Sequence, residues 1–250
     1  MLSRIVTTLT FNALLGFSRA TLLNSTDCAD IHFMLARGTT EDYPGTTYSM
    51  AELVAENTTL STNYENIIYP AVSETESDSY FIGRAAVGSQ INRYAADCPN
   101  SRIVLISYSQ GAMIVGDALA GGGGDSTLGN ATQPLVSEDV SKHSMFCHPA
   151  SPVDSILLAA NVYYGNPRHA PYQPYNMGDN TWNVTGKYPR LDYQINYLHD
   201  RYRHVTADWC NNGDGVCSPS EGADALSLHM AYASDYDPIA AAWILEKLGA

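Results

Sequence analysis

The sequence predicts an α/β protein of three layers, with helices packed on both faces of a central, mostly parallel sheet. Short apolar runs recur that are too continuous to be half-exposed strands, and segments with a helical repeat separate them. Parallel neighbours cannot be joined by a tight turn, so a helix between successive strands is the expected crossover. At 250 residues the chain can bury one sizeable core.

The elements follow in order. "IHFMLARG" (31–38) reads as a buried strand, and a helix is expected around Met50 to Asn57. "YENIIYPA" (64–71) is the next strand. After the acidic "SETESDS", a helix runs to Asp97-Cys98-Pro99, where proline stops it. "SRIVLISYS" (101–109) is apolar on both sides, and "QGAMIVGDALA" continues from it at once as a helix. "SILLAANVYYG" (155–165) and "RHVTADW" (203–209) are two more strands. The final helix is read from "DPIAAAWILEKLG", with Asp237 as its N-cap and Pro238 at its first position. "AGGGGDSTLGN" (120–130) and "GNPRHAPYQPYNMGDN" (165–180) read as flexible connections, neither long enough to demand a second domain.

The chain begins "MLSRIVTTLTFNALLGFSRA", in which Arg4 precedes a moderately apolar stretch and Ser18-Arg19-Ala20 offers small residues to a peptidase. This reads as a secretory signal over 1–20, leaving 21–250 as one domain. The competing reading is an N-terminal helix of that domain. Four Asn-x-Ser/Thr sequons, at Asn24, Asn57, Asn130 and Asn183, agree with secretion and glycosylation. In that compartment Cys28, Cys98, Cys147, Cys210 and Cys217 favour disulfides over metal ligands, with an odd thiol left over. His143, Cys147 and His148 match no strong zinc spacing, so no metal or other cofactor is expected.

Thirteen Lys and Arg against 26 Asp and Glu give a net charge of -13. A field of that sign repels phosphate backbones and anionic lipid heads, which argues against nucleic acid and stable membrane association. Seventeen tyrosines suit amphipathic contact with a carbohydrate or polymer. A monomer is expected.

"ISYSQGA" (106–112) places Ser109 where a buried strand gives way to a helix. An α/β-hydrolase nucleophile elbow belongs there, with the serine exposed at the carboxyl edge of the sheet and the amide of Gln110 aimed at the developing oxyanion. The usual pattern is Gly-x-Ser-x-Gly; here Ser107 stands for the first glycine, keeping a small residue. A serine needs a base, and the base an orienter, in the order Ser, acid, His. "WCNNGDGVCSPSEGADALSLHMAY" supplies Asp214 and His229, and no histidine follows Asp214 except His229. Asp214 also lies in a loop that Cys210 and Cys217 could close. Such a ring is worth about 2.5 kcal/mol of chain entropy, against about 4.4 for one joining Cys28 to Cys98, so its better use is to hold the carboxylate still. The plainer readings are a helix cap for Ser109, a turn residue for Asp214 and surface residues for His229, His199 and His204.

On "CADIHFMLARGTTE" from Cys28, "DCPNSRIVLISYSQGAMIVGDAL" from Asp97, "CNNGDGVC" from Cys210 and "HMAY" from His229, the chain resembles the fungal cutinase and acetylxylan esterase family of serine esterases. The resemblance implies Ser109 as nucleophile, His229 as general base and Asp214 as its orienter. It implies an oxyanion hole from Thr39 and the Gln110 amide, and disulfides Cys28–Cys98 and Cys210–Cys217. Asn166 stands where relatives usually carry Asp. The substrate implied is an ester of a plant-wall polysaccharide or polyester. Acetyl groups on xylan are favoured: Val216, Leu226 and Leu228 are the only large apolar residues between Asp214 and His229, and the glycine-bearing insertion and the "NPRH…YNMGD" segment look more like the acetylxylan-esterase branch. Cutin is the alternative. A non-catalytic member that binds a wall polymer is the alternative of another class.

Overall fold

The computed structural model describes residues 22–73, 77–141, 157–179 and 182–249. The stretch 1–20 read as a secretory signal, Cys147, His143 and His148 lie outside them. Among the described residues seven strands, β1 (Leu23–Asn24), β2 (Ile31–Ala36), β3 (Thr62–Asn66), β4 (Arg102–Tyr108), β5 (Leu158–Tyr164), β6 (Asn176–Met177) and β7 (Thr206–Trp209), form one sheet in the order β1-β3-β2-β4-β5-β7-β6. Every pairing is parallel. The helices are α1 (Tyr48–Glu56), α2 (Ser79–Asp97), α3 (Gln110–Ala120), α4 (Glu138–Ser141), α5 (Asp192–Tyr202), α6 (Ala225–Met230) and α7 (Tyr232–Leu248).

The continuous apolar runs are explained by coverage on both faces. Along β4, Ile103 and Leu105 pack with Val87 and Ile91 of α2 and Met113 and Ile114 of α3, whereas Val104 and Ile106 pack with Val54 of α1 and Ala240 and Ile244 of α7. Alternate side chains enter opposite cores, so no position along the strand can be polar at low cost. The disulfide Cys28–Cys98 ties the segment before β2 to the C-terminal end of α2.

Three readings are corrected. The strand expected over 64–71 is β3, shifted to Thr62–Asn66, and the apolar Ile67 belongs to the connection that follows, its amide bonded to the Leu35 carbonyl. Asp237 does not cap the last helix, which begins at Tyr232 and carries Pro238 inside it. The Asp237 carboxylate is buried instead, accepting from Ser49 Oγ at 2.5 Å and Tyr164 Oη at 3.1 Å. Burial pushes this carboxyl up, partly offset by those two hydroxyls.

The third correction concerns the two segments read as flexible. Gly121, Gly122 and Gly123 are buried. The Gly122 carbonyl accepts from Gln194, and the Gly123 carbonyl from the buried Arg168. A Cβ on Gly123, at φ +67°, would stand 2.0 Å from the Asn130 carbonyl oxygen, so the glycines serve close packing. Beneath them Asp117 is paired with Arg190 at 2.6 Å and Arg168 at 3.3 Å. A glycine run predicts freedom only where nothing packs on it.

Candidate active site

The carboxyl end of β4 passes into α3 through Ser109, whose backbone sits at φ 54°, ψ -120°. That conformation costs a non-glycine residue about 1–3 kcal/mol and persists where its surroundings fix it. Here the Ser109 amide donates to the Tyr164 carbonyl at 2.8 Å, and its carbonyl accepts from the Met113 amide at 3.1 Å. The glycine this elbow cannot do without is Gly111, where a Cβ would lie 2.0 Å from the Ala36 carbonyl oxygen. At Ser107 the hydroxyl donates to the Val162 carbonyl of the neighbouring strand at 2.9 Å, which accommodates the departure from the usual first glycine.

The elbow holds Ser109 Oγ 2.9 Å from His229 Nε2, and His229 Nδ1 is 2.7 Å from Asp214 Oδ2. With Nδ1–H donated to the carboxylate, the Nε2 lone pair faces the serine hydroxyl. The three side chains predicted from the sequence are therefore brought together. Cys210 and Cys217 are joined, closing the ring around Asp214. Within that ring Gly213 and Gly215, both at φ +84°, turn the chain so that the amides of Val216 and Cys217 reach Asp214 Oδ1 at 2.7 and 2.8 Å. Oδ2 accepts from Tyr232 Oη at 2.8 Å besides the imidazole. Burial opposes ionisation of this carboxyl, yet the imidazole, the Cys217 amide and the Tyr232 hydroxyl outweigh it and hold it below the usual carboxylate range.

Gln110 opens α3, so its amide lies at the positive end of the helix dipole. Its side chain accepts from Ser79 Oγ and donates to the Val72 carbonyl, both at 2.8 Å, anchoring the elbow to α2 and the 67–73 connection. Thr39 is half-buried on the wall of a cleft of about 350 Å³ that also contains Ser109 and His229. Threonines 40 and 46 and Glu41 continue that wall; Leu226 and Met230, 70% and 67% exposed, form the apolar one. Val216 and Leu228 do not line the cleft.

Four residues around the triad escaped the sequence reading. Glu41 accepts from the Gly38 amide at 2.5 Å, the Thr46 amide at 3.0 Å and the Thr46 hydroxyl, clamping the loop that presents Thr39. Tyr108 lies against the His229 ring, 5.1 Å between centroids, and donates to the His229 carbonyl at 2.9 Å. Tyr232 braces the carboxylate. Gly165 leaves room for the imidazole: a Cβ there would lie 2.8 Å from His229 Cε1, and its φ is +57°. Only "HMAY" hinted at Tyr232, by its helical spacing from His229.

Gly165→Ala is accordingly expected to displace the imidazole and lower kcat about 100-fold with KM little changed. Steady-state kinetics on a soluble ester check this, and a kcat near wild type would show that the ring tolerates the methyl group.

Asn166 donates to Asp208 Oδ2 at 3.4 Å and accepts from the Arg168 amide, away from the triad. All four sequon asparagines are exposed, His204 is exposed and His199 half-buried. Among the described residues no group of His, Cys, Asp and Glu is arranged to hold a metal ion, and no helix is long and apolar enough to cross a membrane.

The cutinase family model matches residues 27–248. Cutinase 11 of Verticillium dahliae is 28% identical over 240 residues, covering 92% of this chain and 72% of the relative. Acetylxylan esterase 2 of Talaromyces purpureogenus is 29% identical over 255 residues, covering 95% and 97%. Among solved structures, the catalytic core domain of acetyl xylan esterase from Trichoderma reesei superposes with a TM-score of 0.70 at 25% identity, over 88% of this chain and all of that one.

Proposed function

The chain belongs to the cutinase family of carboxylic ester hydrolases, and from that premise we propose that it is a secreted serine esterase that deacetylates xylan. The observation that carries the mechanism is the hydrogen-bonded chain from Ser109 through His229 to Asp214 at the floor of the cleft. Ser109 Oγ attacks the ester carbonyl while His229 Nε2 takes its proton. The tetrahedral oxyanion is met by the Gln110 amide and Thr39, and collapse expels the alcohol with the proton that His229 returns. Water then enters by the same route and releases the acid. The ring-held carboxylate keeps the imidazole in the required tautomer throughout.

The cleft supports the short-acyl choice. Its apolar wall is one leucine and one methionine, too little to enclose a long acyl chain, and the facing wall of threonines and Glu41 suits a hydroxylated alcohol portion. Similarity to proteins named acetylxylan esterase agrees. Cutin hydrolysis is the second reading, supported by similarity to a cutinase and by the exposed apolar pair Leu226 and Met230. Secretion through the 1–20 leader and glycosylation at the exposed Asn24, Asn57, Asn130 and Asn183 belong to the same proposal.

Relative kcat/KM on p-nitrophenyl acetate, butyrate and palmitate, with acetate release from acetylated xylan, tests the choice. Acetate is expected to be the best ester and xylan to release acetate. A preference for butyrate or longer, with no acetate released from xylan, would move the substrate to cutin.

A further inference from the structure

A second cavity, of about 480 Å³, opens beyond the β6 edge of the sheet, and none of the residues that line it lines the Ser109 cleft. His199 and Arg203 reach it from the end of α5, His204 from the turn that follows, and Trp243 and Lys247 from α7. Met177 of β6 and the buried Tyr175 complete the apolar side. Its size falls in the range of small-molecule sites.

The charge of this cavity runs against that of the protein. The whole chain carries -13, yet four lining side chains are basic types and none is Asp or Glu. Asp200 and Glu246, next in sequence to lining elements, are exposed and do not enter it. Arg203 is held by the carbonyls of His199 and Asp200, at 3.0 and 3.2 Å, which fixes one edge of its guanidinium. Lys247 Nζ stands 5.2 Å from the centroid of the Trp243 ring. Among the described residues neither cation is paired with a carboxylate. Trp243 in turn packs edge-on against Trp209 at 6.1 Å, so the indole is a fixed wall. Apolar ring faces below a cationic rim are complementary to a flat, ring-shaped body that carries an anion.

We propose that this cavity binds a uronate, a sugar ring bearing a carboxylate, on a polysaccharide whose ester groups are cleaved at Ser109. Arg203 and Lys247 receive the carboxylate, and Trp243 and Met177 pack against the ring. The saccharide body rests on the plant-wall reading above; the anion rests on the cavity alone. An accessory contact of this kind raises the local concentration of esters near the cleft without changing the chemistry there.

The probe is a xylo-oligosaccharide bearing one glucuronate, compared by calorimetry with the same oligosaccharide after reduction of its carboxyl to the alcohol. The glucuronate form is expected to bind about ten-fold more tightly to the wild type, and the Arg203→Gln/Lys247→Gln variant to lose that difference. Hydrolysis of p-nitrophenyl acetate should be unchanged in the variant, showing that the fold survives. If the double variant loses it, the exposed Lys247→Gln alone is measured and is expected to narrow the difference. Equal binding of both oligosaccharides, binding of neither, a difference that persists in the variants, or inorganic phosphate displacing the probe as well as free glucuronate does would each overturn the proposal. Loss of xylan deacetylation with uronate binding intact would instead count against the proposed function, so the two failures are distinguishable.

Discussion

Replacing Ser109 with alanine is expected to lower kcat on a soluble ester by about a million-fold, leaving only what the oxyanion donors and substrate binding supply. No other hydroxyl is bonded to His229 Nε2 among the described residues, so the imidazole has no substitute nucleophile to activate. The substitution removes one oxygen from a half-buried position and leaves the contacts of Gly111 and Ser107 in place. Thermal stability should therefore stay near wild type. Near-native turnover by a folded Ser109→Ala protein would remove the nucleophile assignment outright.

Asp214→Asn has the second largest expected effect, a fall in kcat of about 10⁴-fold with KM nearly unchanged. All four acceptor positions of this carboxylate are used, by the amides of Val216 and Cys217, the imidazole and Tyr232. An asparagine must turn its NH₂ toward one of these donors. Facing the imidazole, it reverses the tautomer and takes the Nε2 lone pair away from Ser109. Facing the two amides, it leaves buried donors opposed to one another, at a cost of about 1–3 kcal/mol.

The direction of the Asp214 shift sets the pH dependence. A carboxyl held below its ordinary value when folded contributes stability that is present above the unfolded value, near 3.9, and is lost as pH falls through the lower folded value. The stability gap between wild type and Asp214→Asn should thus be full at pH 7 and close only in strong acid. Because Asp214 remains ionised in mild acid, it goes on orienting the imidazole there, and a general base needs its lone pair free, so kcat/KM should not rise toward acid. Chemical denaturation across pH and a pH–rate profile measure the two effects separately. A gap that closes already near pH 6, or a rate that rises toward acid, would contradict this arrangement.

The sheet was legible because β2, β4 and β5 are apolar on both faces, a pattern that only coverage by helices on each side explains. Ser109, Asp214 and His229 were legible because their order, the strand–helix junction and the cysteine-flanked turn are properties of the chain itself. The braces were not. Tyr108 looks like any other of seventeen tyrosines, and Tyr232 is marked only by its place in "HMAY". Glu41 acts through a loop whose closure depends on Gly45, where a Cβ would lie 2.6 Å from the Arg37 Cβ. Gly165 matters because of a side chain 64 positions away in sequence, as the residue numbers show. Asp237 was misread for a related reason: Asp-Pro is a strong local signal for a helix start, but two hydroxyls from α1 and β5 hold that carboxylate inside a helix already under way.

The most direct test of the central claim is covalent. A fluorophosphonate probe reacts with a serine whose proton is taken by a neighbouring base, and peptide mapping locates the adduct. The account predicts stoichiometric loss of ester hydrolysis with phosphonylation confined to the peptide "ISYSQGA" at Ser109 and absent from Ser109→Ala. Rapid ester hydrolysis by protein that takes up no label, or an adduct on another residue that tracks the loss of activity, would contradict it.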